Sequence, residues 1–283
     1  PSPGRNNGGK TIRGLISPPQ FSAKRGIYNT PFRVHLTTGE PDAVIRYTMD
    51  YSEPTITNGK VYNEPLEVRR TMVLRAAVFK EGMLPSRVET HTYVYNLGAS
   101  VTSLPMLSLV TERSNLWGRA GIMETSPRNT TKRGIAWERP VSMELIYPDT
   151  GETLHANAGL RVQGGAYIRG RYNPNSGPPA GKYSFRLYFR GDYGLGRLRY
   201  PFFPDLQVED FNRIVLRAGM NDHTNPFIID ELVRRLAADM GQVSARGTFM
   251  NLYLNGKLQG YYNPTERIGS DFLNSWNGSD SEW

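Results

Sequence analysis

Residues 182–190 read KYSFRLYFR, the clearest strand in the chain. Successive side chains of a strand point to opposite faces. Tyr183, Phe185, Leu187 and Phe189 therefore share one face, and Lys182, Ser184, Arg186, Tyr188 and Arg190 share the other. Glycine-rich turns between Gly159 and Gly196 flank this strand and "GLRVQG" before it. Positive charge gathers in the same stretch. Arg161, Arg169, Arg171, Lys182, Arg186, Arg190, Arg197 and Arg199 are opposed only by Asp192, so nearly all of the chain's net charge of +8 lies here. Cations on a strand face beside glycine loops can cradle an anion, with backbone N–H groups assisting. A solvated basic sheet face is the plainer reading.

Downstream, "NPFIIDELVRRLAADMG" (residues 225–241) predicts a helix. Asn225 or Thr224 suits its cap, Pro226 its first turn and Gly241 the C′ position. Ile228, Ile229, Leu232, Val233, Leu236, Ala237 and Met240 form a single apolar stripe. Next, "TFMNLYL", Asn255-Gly256 and "LQGYYNP" predict a β-hairpin, because Asn-Gly accepts the positive φ angles of a type I′ turn. "DFLNSW" begins a further helix, and "PMLSLV" and "VSMELIYP" read as strands.

Upstream, short alternating runs fill residues 16–95: "FRVHL", "AVIRYTM", "PLEV", "TMVLRAAVF" and "ETHTYVY". Turn signals separate them, so this part predicts a small antiparallel sandwich. Residues 1–15 are polar and rich in glycine and proline and read as a linker or tail. The expected organisation is a linker over 1–15, a sandwich over 16–98 and a second domain over 99–283. The fold class is mainly β with an α+β second part.

Composition sets limits on the chemistry. Of the 283 residues, 38% are hydrophobic, 29 are Gly and 20 are Pro, which suits a folded, turn-rich chain. There is no cysteine, which excludes disulfides, thiolate metal sites and cysteine nucleophiles. No run of about 18 apolar residues spans a membrane. His35, His91, His155 and His223 are scattered, with no HExxH or paired-ligand spacing for zinc. The chain has no G-x-S-x-G elbow and no kinase HRD or DFG triplet. "GPPAGKY" is one residue short of a P-loop and ends in Tyr183 instead of Ser or Thr. Asn129-Thr-Thr and Asn277-Gly-Ser match glycosylation acceptors, a weak motif. The chain starts without methionine and stops at "NGSDSEW", so we expect a segment of something longer.

Two resemblances follow from these segments. "IRYTMDYSEPT", "VYNEPLEV", "TMVLRAAVFKEGMLPSRV" and "THTYVY" resemble the chitobiase C-terminal or fibronectin-associated β-sandwich of bacterial surface proteins. Tyr51 departs from that pattern, where glycine usually follows the aspartate. "GLRVQGG", "KYSFRLYFR", "LRAGMNDHTNPFIIDELVRRLAADMG" and "LYLNGKLQGYYNPTERIGSDFL" resemble the CotH family of spore-coat protein H-like atypical kinases. The implied architecture is the sandwich followed by an incomplete, atypical-kinase-like α+β lobe.

The second resemblance implies phosphoryl transfer from ATP, with Mg2+ or Mn2+, to Ser or Thr of an extracytoplasmic protein. It places a nucleotide-phosphate contact at Lys182, beside Arg186. Glu231, in preference to Asp230, would be the lysine's acidic partner, and Glu266, at a Glu-x-Ile position, would lie on the nucleotide side of the cleft. The family's metal-binding and catalytic aspartates are expected beyond the hairpin. Asp280 stands in a polar tail, so no catalytic or metal residue is assigned in this chain, and the chain alone is expected to be inactive. The pairing of modules implies a bacterial protein that is secreted, at the cell surface or periplasmic. The alternative is a non-catalytic surface or matrix protein whose sandwich binds a glycan or cell-wall polymer or spaces domains. A nucleic-acid groove ranks last, because Tyr183, Phe185 and Phe189 face away from Lys182, Arg186 and Arg190.

Overall fold

The computed structural model describes residues 14–95, 103–164, 182–203, 206, 208–219 and 228–277. The chain divides into two compact units between Leu97 and Gly98. Residues 1–13 of the expected linker and the expected boundary at 98/99 lie outside the described residues.

The first unit contains β1 (Gln20–Phe21), β2 (Gly26–Tyr28), β3 (Phe32–Val34), β4 (Leu36–Thr37), β5 (Val44–Thr48), β6 (Lys60–Val61), β7 (Leu66–Val68), β8 (Met72–Phe79) and β9 (Glu89–Tyr95). One sheet runs β2-β9-β8-β5-β6, and the pairs β1-β4 and β3-β7 complete the sandwich. Val34, Leu36 and Val68 from the pairs share one core with Ile45, Leu74, Val78 and Tyr93 from the sheet. The β2–β9 pair is parallel, the one departure from the antiparallel arrangement among the described pairs of this unit. Tyr51, where the sequence departs from its resemblance, has a φ of 74°. That left-handed conformation costs a side-chain-bearing residue about 1 kcal/mol and glycine almost nothing. The turn is nevertheless held: Ser52 donates to the Asp50 carboxylate at 2.6 Å, and Arg75 donates to the Tyr51 carbonyl at 2.8 Å.

The second unit is built on a closed seven-stranded barrel. Its strands are β10 (Met106–Val110), β11 (Arg139–Ile146), β12 (Thr153–Val162), β13 (Phe185–Tyr188), β16 (Arg213–Arg217), β17 (Met250–Leu254) and β18 (Lys257–Glu266). A side hairpin, β14 (Leu198–Arg199) with β15 (Asp210–Phe211), lies between β13 and β16 in sequence. The order around the barrel is β10-β11-β12-β13-β16-β18-β17, closed by parallel pairing of β10 with β17. Phe185, Leu187 and Phe189 enter the barrel core with Leu107, Met143, Leu160, Leu216 and Leu252, and Tyr183 packs against it. The alternation read in residues 182–190 is therefore the inside–outside alternation of the barrel wall. Asn255 and Gly256, with φ of 50° and 70°, make the expected turn between β17 and β18.

Helices run over Ile229–Asp239 and Ser270–Asn277. The caps expected at Thr224, Asn225 and Pro226 lie outside the described residues. Gly241, with a φ of 82°, follows the C-cap of the first helix as expected.

The apolar stripe of that helix is not the face turned to the barrel. Leu236 is 52% and Met240 79% exposed, and Ile228, Ile229, Leu232 and Val233 are exposed too. The polar edge packs instead, because the barrel wall beneath it is polar. Asp230 pairs with Arg217 of β16 at 3.1 Å. Glu231, 3% exposed, accepts from Asn263 of β18 at 3.1 Å and pairs with Arg234 at 2.8 Å and Arg235 at 2.9 Å. Arg234 also donates to the Asn263 side-chain oxygen at 2.6 Å. Gly247 makes room for this cluster, since a Cβ there would lie 2.3 Å from the Glu231 Oε2.

Two stability measurements on the whole chain check this account. Glu231→Ala removes the buried carboxylate shared by Arg234, Arg235 and Asn263, leaving Arg234 with Asp230 and Asn263 with the Thr248 carbonyl, and is expected to cost about 3 kcal/mol in denaturant unfolding, while Leu236→Gln stays within about 0.5 kcal/mol. The reverse ranking would mean that the stripe, and not the polar edge, holds the helix. Tyr51→Gly is expected to raise the stability of the first unit by about 1 kcal/mol; a loss would show that the Tyr51 side chain contributes more than its backbone costs.

Candidate functional site

Three of the four residues singled out in the sequence meet the stretch 261–266 of β18, and Arg186 stands two strands away on β13. Lys182 sits just ahead of β13, and its Nζ donates to the Tyr261 carbonyl oxygen. Glu231 reaches the side chain of Asn263. Arg186 lies in register with Val215, and Val215 with Thr265, so it belongs to the Thr265 row of the outer wall. Glu266 ends the strand. Strand residues rise about 3.3 Å each, so the rows of Tyr261 and Thr265 stand about 13 Å apart. The structure thus spreads the four residues over the rows that cross β18 without gathering them at a point.

Lys182 is the most constrained of the four. It is 8% exposed, and its ammonium lies 4.5 Å from the Tyr262 ring centroid and 5.1 Å from that of Tyr261. Burial lowers its pKa to about 8, because a poorly solvated ammonium is disfavoured. Gly260, with a φ of 89°, lies against the lysine stem; a Cβ there would sit at an ordinary contact distance of 3.9 Å from Lys182 Cε, so it is the backbone angle that calls for glycine. Glu231, expected to be the lysine's partner, spends its two oxygens on Arg235 and on Arg234 with Asn263. It stands one outward-facing position along β18 from the carbonyl that Lys182 grips.

Arg186 turns away from Lys182. Its Nη1 donates to the Tyr188 hydroxyl at 3.3 Å, towards the far end of β13. Burial is the main cause lowering its pKa, and the neighbouring charges of Arg267 and Arg161 push the same way. Arg190, on the same face, is neutralised by Glu138 at 3.0 and 3.2 Å, and Tyr193 donates to that carboxylate at 3.3 Å. Arg169 and Arg171, part of the basic run, lie outside the described residues.

Composition and spacing pointed to the basic face but not to Glu138, Asn263, Arg217, Arg234 or Gly247, which organise it. Only the barrel register brings these residues to the wall, and no local pattern marks them. Other residues named from the sequence have local roles. His91 stacks on Phe21 at 4.0 Å, and His155 bonds Ser142 at 2.9 Å. Asn129 is buried with its amide nitrogen donating to the carbonyls of Arg119 at 3.0 Å and Gly121 at 2.9 Å, so its glycosylation motif is occupied by structure. His223 and Asp280 lie outside the described residues.

Glu266 is buried and accepts from the Arg246 backbone N–H at 2.8 Å and from the Trp276 indole at 3.4 Å. Burial raises its pKa to about 7 in spite of these donors. It lines a hollow with Arg197, Asp210, Arg213, Arg267 and Asp271, in which Arg197 pairs with Asp210 and Arg213 with Asp271. A carboxyl raised in the folded state binds more protons folded than unfolded between its two pKa values. Stability therefore falls as pH rises from the ordinary carboxyl range to about 7. The expected fall from this group is on the order of 2 kcal/mol between pH 5 and pH 8. Comparing unfolding of the wild type with Glu266→Gln across that range isolates it; equal slopes in both proteins would show that Glu266 is not the group responsible.

Two family models match the chain. Residues 23–90 match the chitobiase/beta-hexosaminidase C-terminal domain, within the sandwich. Residues 168–282 match the CotH kinase protein, a span that holds Lys182, Arg186, Glu231 and Glu266 and follows the barrel strands β10, β11 and β12. No curated protein matches the chain. The chain is thus similar to a chitobiase-type accessory domain over its first unit and to a CotH kinase protein over most of its second, in the order that the sequence reading gave.

Proposed function

We propose that the second unit is the phosphate-binding part of a CotH-like atypical kinase, which transfers the γ-phosphoryl group of ATP to Ser or Thr of an extracytoplasmic protein. The sandwich then serves as its accessory module. The observation that carries this reading is Lys182: a nearly buried ammonium fixed to the Tyr261 carbonyl on the outer barrel wall, within the segment that matches the kinase family. A buried ammonium offers a phosphate a strong, poorly screened charge, and its site already bears the desolvation that binding would otherwise cost.

The neighbouring residues fit supporting roles. Glu231 ties the helix Ile229–Asp239 to Asn263 and so holds the strand on which Lys182 rests. Glu266, farther along the same strand, is assigned to the nucleotide side of the cleft. Arg186 leans towards Tyr188, so the nucleotide contact is assigned to Lys182 alone. Phosphoryl transfer depends on positioning and on neutralising charge at the phosphates, usually with a divalent ion. Among the described residues no group of three His, Asp or Glu side chains is placed to hold such an ion. Mg2+ or Mn2+ would accompany the nucleotide, and no step is routed through it here.

Isothermal titration of the whole chain with ATP and magnesium tests the reading. ATP binding is expected at pH 7 and to be lost in Lys182→Ala. Since Lys182 loses its proton near pH 8, affinity should fall about tenfold per unit above that pH. Lys182→Arg keeps its charge and is expected to flatten that decline. ATP binding that ignores both substitutions would sink the assignment.

A further inference from the structure

A second group of cations lies on the same barrel wall, apart from Lys182. Arg161 of β12 and Arg186 of β13 are direct cross-strand partners. Like charges placed opposite each other in a sheet destabilise it, so such a pair needs a reason. The Tyr188 ring, 3% exposed, lies beneath them. Arg161 stands 4.9 Å and Arg186 5.8 Å from its centroid, and Arg190 stands 5.2 Å away on the same ring. Arg190 has Glu138 as its counter-ion. Among the described residues no carboxylate pairs with Arg161, Arg186 or Arg267. Among the described residues, the hydrogen-bond partner of the Arg161 side chain is the Gly134 carbonyl, at 3.5 Å, and that of Arg186 the Tyr188 hydroxyl. Among the described residues the buried Nε of Arg186 has no hydrogen-bond partner. Leaving such a donor unmade costs more than a typical hydrogen bond gains.

We propose that Arg161 and Arg186 form a phosphate-binding site, seated over Tyr188, that takes a phosphate dianion either free in solution or carried as a monoester on a protein side chain. Two guanidiniums side by side present planar forks that suit the tetrahedral oxygens of phosphate, and a dianion removes the repulsion that the fold otherwise carries. The buried tyrosine ring limits how far the arginines can spread and holds their charges over one spot. Lys182 cannot share this anion: four residues separate it from Arg186 along an extended strand, about 13 Å, and Arg186 points the other way. The site is independent of the kinase reading and would stand if ATP did not bind.

Titration of the whole chain with inorganic phosphate, against sodium chloride of equal ionic strength, tests the proposal. Saturable binding is expected, weakened at least about tenfold by Arg161→Gln or Arg186→Gln and changed less than about twofold by Lys182→Ala. Either glutamine variant should melt no lower than the wild type at low salt, because it relieves the like-charge pair, and phosphate should raise the melting temperature of the wild type only. A phosphoserine peptide binding more tightly than inorganic phosphate identifies a protein-borne phosphate; equal affinity identifies the free ion. The proposal is overturned if chloride competes as well as phosphate, if the glutamine variants bind normally, or if Lys182→Ala alone abolishes binding. Loss of ATP binding in Lys182→Ala with phosphate binding intact would uphold both sites separately.

Discussion

Parallel pairing of residues 106–109 with 251–254 closes the barrel, and the rest of the second unit follows from that closure. A closed sheet has no free edge, and each strand must turn alternate side chains into a limited interior. Once that interior is filled by Leu107, Leu160, Phe185, Leu187, Leu216 and Leu252, every charged neighbour is committed to the outside. Lys182, Arg186 and Arg161 therefore stand on the outer wall by necessity of the core. The same constraint sets the rows along β18 and so decides which cations can act together.

The outer wall explains the orientation of the helix Ile229–Asp239. An amphipathic helix normally buries its apolar stripe. Here the wall offers Arg217, Asn263 and the backbone carbonyls of Ala245 and Gly247, and the helix matches them with Asp230, Glu231, Arg234 and Arg235. Buried charges of this kind hold only if every partner is present, which makes the cluster a specific lock. Gly247 belongs to it as much as the charges do, because any side chain there would displace the Glu231 carboxylate.

The period-2 pattern of residues 182–190, the Asn255-Gly256 turn and the glycine at 241 could be read from the sequence because each depends on neighbours in the chain. The basic face and the importance of Lys182, Arg186, Glu231 and Glu266 were visible as composition and resemblance. What could not be read was register. No local rule says that Arg161 lies opposite Arg186, that Glu231 meets Asn263, or that Glu138 neutralises Arg190, since these contacts join residues tens of positions apart. The helix stripe misleads for the same reason: its pattern shows that one face is apolar but not which surface awaits it. Tyr51 shows the converse, where a departure from a family pattern turned out to sit at a backbone angle that favours glycine.

Burial acts in opposite directions on the two titrating groups of β18. The Lys182 ammonium is easier to deprotonate, with a pKa near 8, and the Glu266 carboxyl is harder to ionise, with a pKa near 7. Each is pushed towards neutrality because a poorly hydrated charge is disfavoured whichever its sign. Near neutral pH, Lys182 is still charged and Glu266 is divided between its two forms. The end of the strand bearing Tyr261 is therefore attractive to anions, and the end bearing Glu266 becomes less so as pH rises. Arg161 and Arg186 lie two rows further along the same wall as paired planar forks. The wall thus carries one pH-sensitive ammonium and one pair of guanidiniums, separated by the row that Arg217 and Asn263 occupy and Glu231 seals.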